Sequence, residues 1–189
     1  MRWSRKYPTV PYRDITKKEV VNLKAESAKA IMSGLKEVGI NFISSLPSKG
    51  SAPLIQGIAD DGDFIHVPVA NEEDAIGICA GASIVGKKPA FVAQNCGLLL
   101  ATYALTNSLY WFGGFPILMI LDHRGDFGDT GGYIFTGYGV QVPRLLESLQ
   151  VPYVIVRESN KLIEEIVRGG NTVIATGKPA AILLSGGAI

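Results

Sequence analysis

The sequence predicts an α/β fold: a three-layer, six-stranded parallel sheet with helices on both faces. Three observations lead there. The candidate strands are short and almost wholly apolar, which is how a strand reads when both of its faces are buried. Segments with helical spacing alternate with them, the pattern of parallel strands joined by crossover helices. The chain has 189 residues, 47% of them hydrophobic and only 19% charged, with a mean hydropathy of +0.23. That composition supplies a large core or large buried interfaces and excludes global disorder.

Residues 1–19 are polar and basic, with Arg2, Arg5, Lys6, Arg13, Lys17 and Lys18 set against Asp14 and Glu19. Pro8 and Pro11 oppose an early helix, so this stretch reads as an N-terminal arm and residues 20–189 as one domain. Residues 20–38 have helical spacing, and Gly39 follows them as a stop signal. Residues 40–46 read as a buried strand closed by Pro47, and 51–59 as a short helix with Pro53 in its first turn. Residues 64–69 are a strand, 71–85 a helix rich in small residues, and 89–94 a strand. Residues 98–111 read as one apolar helix and 116–121 as a strand. Residues 125–139 are rich in glycine and read as a long loop, with a helix at 143–150 after Pro143. A strand at 153–156, an amphipathic helix at 159–176 with Ser159 as its N-cap, and a strand at 180–184 complete the chain.

Charge and composition narrow the function. Eighteen basic against 17 acidic residues give a net charge of +1, without the basic excess that phosphate-backbone binding requires, so no nucleic acid is expected. The longest apolar runs, such as residues 116–121, are too short to cross a bilayer, and no apolar segment follows the basic N-terminus as in a signal peptide. Cys79 and Cys96 form no CxxC pair, so a reducing, cytoplasmic setting is expected. Residues 81–88 nearly match a phosphate-binding loop. However, Lys88 stands where the magnesium-binding hydroxyl belongs, and Pro89 opens a strand where a helix is needed. There is no G-x-G-x-x-G after a strand and no G-x-S-x-G elbow. His66 and His123 are the only histidines, with no HExxH, which argues against catalytic zinc. Asp122, Asp126 and Asp129 read more readily as a solvated turn than as a metal site.

In an open α/β sheet ligands bind beyond the carboxyl ends of the strands. That directs attention to residues 44–51, 70–74, 94–98 and 122–132. The informative stretch runs from His66 to Ala82. A strand ends, Asn71 stands at a helix N-cap, and Glu72, Glu73 and Asp74 fill the first turn. Stability alone favours Asn at the cap and acids beside the positive helix end. The helix then continues with Ala75, Gly77, Ala80, Gly81 and Ala82, which lets its backbone approach a cofactor or another subunit closely. The next strand ends in Gln94-Asn95-Cys96-Gly97. A carboxylate on one loop and a polar, glycine-containing turn on the next form a plausible cofactor cleft.

At these residues the sequence resembles the pyrimidine-binding (Pyr) domain of thiamine diphosphate enzymes, a flavodoxin-like fold. His66-Val-Pro-Val, Glu72-Glu73, Gly77-Ile-Cys-Ala-Gly81, Gln94-Asn95, Gly97-Leu98 and His123-Arg124-Gly125 resemble the sulfopyruvate decarboxylase α-subunits and their phosphonopyruvate decarboxylase relatives over roughly residues 28–184. The resemblance implies that Glu72 hydrogen-bonds N1′ of the aminopyrimidine and favours the imino tautomer whose nitrogen takes the C2 proton. It further implies that Asn71, Gln94, Asn95 and Gly97 line the cofactor. The chain lacks the Gly-Asp-Gly motif that holds Mg²⁺ and the diphosphate; Asp61-Gly62-Asp63 is not that motif. Both would therefore be held by a partner β-subunit in an α/β hetero-oligomer, and the substrate would be a small 2-oxo acid.

The chain departs from the resemblance after Asn95, where Cys96-Gly97-Leu98-Leu99-Leu100 replaces a more polar run, and at Asp122, where the related sequences carry Ser. These changes imply an altered substrate. A less anionic or bulkier 2-oxo acid is one such substrate, while Ser48, Lys49 and Arg124 are the candidates for binding an anionic tail. Two other readings stay open on sequence grounds: a carboligase subunit using the same cofactor, and a flavodoxin-like binding or assembly module in which Glu72 is only a helix-start acid.

Overall fold

The computed structural model describes residues 23–111, 113–129 and 133–185. The expected basic arm and the start of the first predicted helix lie outside them. Six strands form one sheet: β1 (Phe42–Ser45), β2 (Ile65–Pro68), β3 (Pro89–Gln94), β4 (Leu118–His123), β5 (Tyr153–Val156) and β6 (Ala180–Ser185). They are ordered β2-β1-β3-β4-β6-β5, and every neighbouring pair runs parallel. The expected three-layer α/β architecture is borne out.

The apolar strands follow from this arrangement. On β3, Ala90 and Val92 belong to one core cluster while Phe91 and Ala93 belong to the other, and on β4 Leu118 and Ile120 alternate in the same way with Met119 and Leu121. Helices α1 (Ala25–Glu37), α2 (Ala52–Asp60) and α7 (Leu162–Thr176) cover the first face through Ile31, Leu35, Ile58 and Ile166. On the second face lie α3 (Glu72–Ile84), α4 (Gly97–Leu100), α5 (Thr102–Tyr110) and α6 (Tyr133–Ser148), anchored by Ile76, Leu98, Leu105 and Leu146. A strand with helices on both faces needs apolar residues at every position rather than at alternate ones.

Three local expectations change. The apolar stretch predicted as one helix over 98–111 is two helices, α4 and α5, with a turn at Ala101 (φ −75°, ψ 1°) between them. The predicted loop over 125–139 gives way to α6, which begins at Tyr133 and carries Pro143 within it. Gly139 serves close approach, since a Cβ there would meet the carbonyl of Gly125, while Gly125 turns the chain with a left-handed backbone (φ 87°) and a Cβ on it would meet the carbonyl of Phe135. Ser159 does not cap α7; it opens a 3-10 turn (Ser159–Lys161), and the α-helix starts at Leu162.

The sheet order fixes where a ligand can enter. From β1 the chain moves outward to β2 and then crosses back to β3 on the other side of β1. The connections that leave β1 and β3 therefore diverge, and a crevice opens between the carboxyl ends of these two strands.

Candidate active site

Four segments surround that crevice: the turn after β1 (Ser48 to Ser51), the start of α3, the turn after β3 (Asn95 to Gly97), and the end of β4. Helix α3 is fixed at its origin by Asn71, whose Oδ1 accepts from the Asp74 backbone N–H at 2.8 Å and whose Nδ2 donates to Asp74 Oδ2 at 2.7 Å. Asn71 thus acts as a helix cap. Glu73 and Asp74 are exposed, whereas Glu72 is buried, only 8% accessible. An acid that served merely the helix dipole would gain as much in water.

Glu72 is buried because its carboxylate lies on the backbone of Gly97. A Cβ at Gly97 would collide with Glu72 Oε1 and Cδ and would stand 2.5 Å from Cγ. The missing side chain of Gly97 is the seat of the Glu72 carboxylate, and it brings together two residues that the sequence reading had only placed on neighbouring loops. Gln94 is half-buried at the end of β3. Asn95 is fully buried: Nδ2 donates to the Arg124 carbonyl at 2.9 Å and lies 3.1 Å from His123 Nδ1. Among the described residues, Asn95 Oδ1 and His123 Nε2 have no hydrogen-bond partner. Burial holds the His123 imidazole below its ordinary pKa.

The residues proposed for the substrate tail separate. Ser48 faces the crevice, with Oγ 2.6 Å from Ser51 Oγ and 3.5 Å from Asp122 Oδ2. Lys49 is exposed on the same turn. Arg124 is buried and engaged elsewhere. Its Nε donates to Asp129 Oδ2 at 3.1 Å, and its guanidinium lies 4.7 Å from the centre of the Phe135 ring. Asp129 Oδ2 also accepts from the Gly125 N–H at 2.7 Å, so Arg124 holds the turn that follows β4.

The sequence reading missed the place of Asp122. It ends β4 beside Gln94 of β3, yet its carboxylate lies where a Cβ of Gly50 would be, in the turn after β1. Its side chain therefore spans the end of β3. Burial pushes its carboxyl up to about 6, against the pull of Arg124 and with a further push from Asp129. Cys96 sits between the two acids of the crevice: burial raises its thiol first, and Glu72 and Asp122 raise it further, which keeps it protonated and a poor nucleophile. His66 bonds Ser45 Oγ through Nε2 at 2.8 Å, and burial lowers its pKa. Asp126 accepts from Arg157 at 2.7 and 2.8 Å and from Ser185 Oγ at 2.7 Å, which ties the ends of β4, β5 and β6 together. Among the described residues no cluster of His, Cys, Asp and Glu could hold a metal ion, and no helix is long and apolar enough to cross a membrane.

Known proteins align in sequence with most of this chain. The sulfopyruvate decarboxylase subunit alpha of Methanothermobacter thermautotrophicus is 32% identical over 168 residues, covering 86% of this chain and 97% of its own. That of Methanococcus maripaludis is 30% identical over 164 residues, 84% of this chain and 93% of its own. The chain belongs to the sulfopyruvate decarboxylase α-subunit family. The resemblance read from Glu72, Gly97 and the motifs around them is borne out. The phosphonopyruvate decarboxylase of Streptomyces hygroscopicus is 28% identical over 103 residues, 54% of this chain and 25% of its own. No protein-family model matches. Among solved structures, the 2-oxoglutarate:ferredoxin oxidoreductase from Magnetococcus marinus superposes with a TM-score of 0.65 at 18% identity, covering 89% of this chain and 30% of that one. At that identity the likeness is one of fold.

The crevice also meets the demands of an aminopyrimidine. A buried carboxylate is presented over bare backbone at Gly97, so a flat heterocycle can approach it without displacing a side chain there. Gln94 stands beside it at the end of β3 with an amide for a second polar contact.

Proposed function

We propose that this chain is the Pyr-domain (α) subunit of a two-subunit, thiamine diphosphate-dependent 2-oxo acid decarboxylase that works in the cytoplasm. The observation that carries the reading is the buried Glu72 carboxylate seated on Gly97 at the switch point of the sheet, in a chain of this family. Glu72 is the catalytic residue: its carboxyl would share a proton with N1′ of the pyrimidine and so favour the imino tautomer. Gly97 keeps its seat open, Asn71 fixes the first turn of α3 that carries it, and Gln94 and the Asn95 turn border the ring. When bound, thiamine diphosphate supplies the nucleophile and the electron sink for loss of CO₂. The protein's share is to orient the ring, exclude water and hold the Glu72 carboxyl against N1′.

The relatives named subunit alpha, matched over 93% and 97% of their own length, support assigning Mg²⁺ and the diphosphate to a β-subunit, with the active site between chains of an α/β hetero-oligomer. The exposed Leu100, Tyr103, Tyr110 and Trp111 on α4, α5 and the turn that follows agree with a chain that has a partner to cover them. Ser48 and Lys49 are the tail-binding candidates at the crevice mouth; Arg124 supports them by holding the turn after β4.

The test is calorimetry of thiamine diphosphate with Mg²⁺, on the chain alone and co-expressed with its candidate β-subunit. The expected result is binding only in the complex and its loss in Glu72→Ala. A stable complex that binds no thiamine diphosphate refutes the assignment. Normal turnover in Glu72→Ala would return Glu72 to the rank of a helix-start acid.

A further inference from the structure

Asp122 starts on β4 and ends against Gly50, which follows β1, two strands away in the sheet. Strands are about 4.8 Å apart, so the side chain lies across the carboxyl end of β3 and forms part of the crevice floor. No helix dipole or capping role accounts for it, since it belongs to a strand end. Among the described residues no lysine or arginine forms an ion pair with it: Arg124, the residue two places on, is bound to Asp129, and Asp122 accepts from the Ser48 hydroxyl at 3.5 Å. Ser48 is in turn bonded to Ser51. The floor thus carries a carboxyl and two hydroxyls within the same crevice as the Glu72 carboxylate, and the Cys96 thiol feels both acids.

We propose that Asp122 is a specificity-determining residue of this site, one that favours 2-oxo acids with a neutral, hydrogen-bonding tail over those whose tail ends in a sulfonate, phosphonate or second carboxylate. The inference rests on the function proposed above and deepens it. An anionic tail reaching the Ser48–Ser51 turn would meet the Asp122 carboxylate in a partly dehydrated space, where like charges are screened least. The nearest guanidinium is already committed. A hydroxyl or keto tail meets acceptors and donors it can satisfy, with Ser48 and Ser51 able to turn their hydroxyl protons either way. Selection here is by repulsion as much as by attraction.

The experiment uses the co-expressed complex loaded with thiamine diphosphate and Mg²⁺. Release of CO₂ is measured from pyruvate, 2-oxobutyrate and hydroxypyruvate as neutral-tail substrates, and from sulfopyruvate and 2-oxoglutarate as anionic ones. Binding of each acid is measured in parallel by calorimetry. Asp122→Ser and Asp122→Asn are compared with the unchanged protein, the second preserving side-chain volume should the first fail to fold. The unchanged complex should prefer neutral tails, and both variants should move the ratio of kcat/KM, or of Kd where turnover is absent, toward the anionic acids by about 10- to 100-fold. A preference of the unchanged complex for the sulfonate, or a ratio that neither variant moves, overturns the inference while leaving the decarboxylase standing. A complex that neither binds thiamine diphosphate nor releases CO₂ overturns the functional reading and this inference with it.

Discussion

Replacing Gly97 by alanine isolates the geometry on which the proposed chemistry depends. Gly97 opens α4 and has no left-handed backbone, so alanine suits its conformation and by propensity alone would help the helix by up to about 1 kcal/mol. The added methyl, however, would overlap Glu72 Oε1 and Cδ and stand 2.5 Å from Cγ. Glu72 must swing aside. The three atoms nearest the new methyl all belong to Glu72, so the cost falls on the carboxylate's placement. The loss expected is that of one hydrogen bond to a charged group, about 1.5–3 kcal/mol, or roughly 10- to 150-fold in affinity for thiamine diphosphate. Turnover by the complex should fall with it, while the melting temperature of the chain changes little.

A double-mutant cycle sharpens the test. If the methyl acts only by displacing Glu72, then Gly97→Ala should cost almost nothing further in a Glu72→Ala background that has already lost both the N1′ contact and the side chain the methyl would meet. Calorimetry gives the affinities, and circular dichroism checks that each variant is folded. A folded Gly97→Ala complex with unchanged affinity and unchanged kcat would refute the claim that Glu72 works from its seat on Gly97. Equal losses in both backgrounds would refute the claim that the methyl acts through Glu72.

Three further outcomes follow from the same region. Asp126 is drawn upward by burial, but hydrogen bonds from Arg157, Ser185 and the Phe127 backbone outweigh this and hold its carboxyl at about 2, below the 3.8 of a free side chain. It therefore stabilises the fold above pH 4 and loses that contribution as pH falls toward 2; Asp126→Asn should cost about 1–2 kcal/mol in urea unfolding at pH 7, discounted for the half-exposed Arg157, and almost nothing near pH 2. Asp122 is the opposite case: its folded carboxyl at about 6 lies above the free value, so folding takes up a proton between about pH 4 and 6 and the group is a liability above that window. Asp122→Asn should raise stability at pH 7.5 by about 1–2 kcal/mol, a gain that disappears at pH 4 in thermal melts. Gly139→Ala should destabilise by about 2 kcal/mol or more despite its better helix propensity, because the new Cβ meets the fixed backbone of Gly125 rather than a side chain that can turn away; chemical denaturation measures it.

The sheet was legible because burial on both faces leaves a plain mark: runs such as residues 89–94 and 118–121 have no polar side to conceal. The ends were harder to read. Gly137, Gly139 and Pro143 look like helix breakers in isolation, yet in the folded chain the glycine at 139 permits contact with Gly125 and the helix runs through the proline. No local pattern carries that information, since the partner backbone is 14 residues away. The site divides in the same way. Glu72 could be picked out from its place between a strand and a small-residue helix. Its seat on Gly97 could not, nor could the pairing of Arg124 with Asp129, which removes a candidate anion-binding group. Asp122 is read in sequence as one of three acids near a turn, and only the sheet order reveals that it lies across the crevice.

The distribution of unfavourable groups supports the location of the site independently of Glu72. Along the strand interiors the buried residues are almost all apolar. Near the carboxyl ends of β3 and β4, by contrast, lie a buried acid with a raised pKa and two buried polar atoms, Asn95 Oδ1 and His123 Nε2, without partners among the described residues. Each such atom costs about 1–3 kcal/mol, and buried polar groups are usually satisfied. A fold under selection for stability alone would replace them: Asp122 with a neutral residue, and the Asn95–His123 pair with apolar side chains. Their concentration at one edge of the sheet, at the switch point and around Gly97, matches what is expected where stability is given up for chemistry. Had the same groups been scattered over the amino ends of the strands, Glu72 would stand as an isolated buried acid and the case for a catalytic crevice would rest on kinship alone.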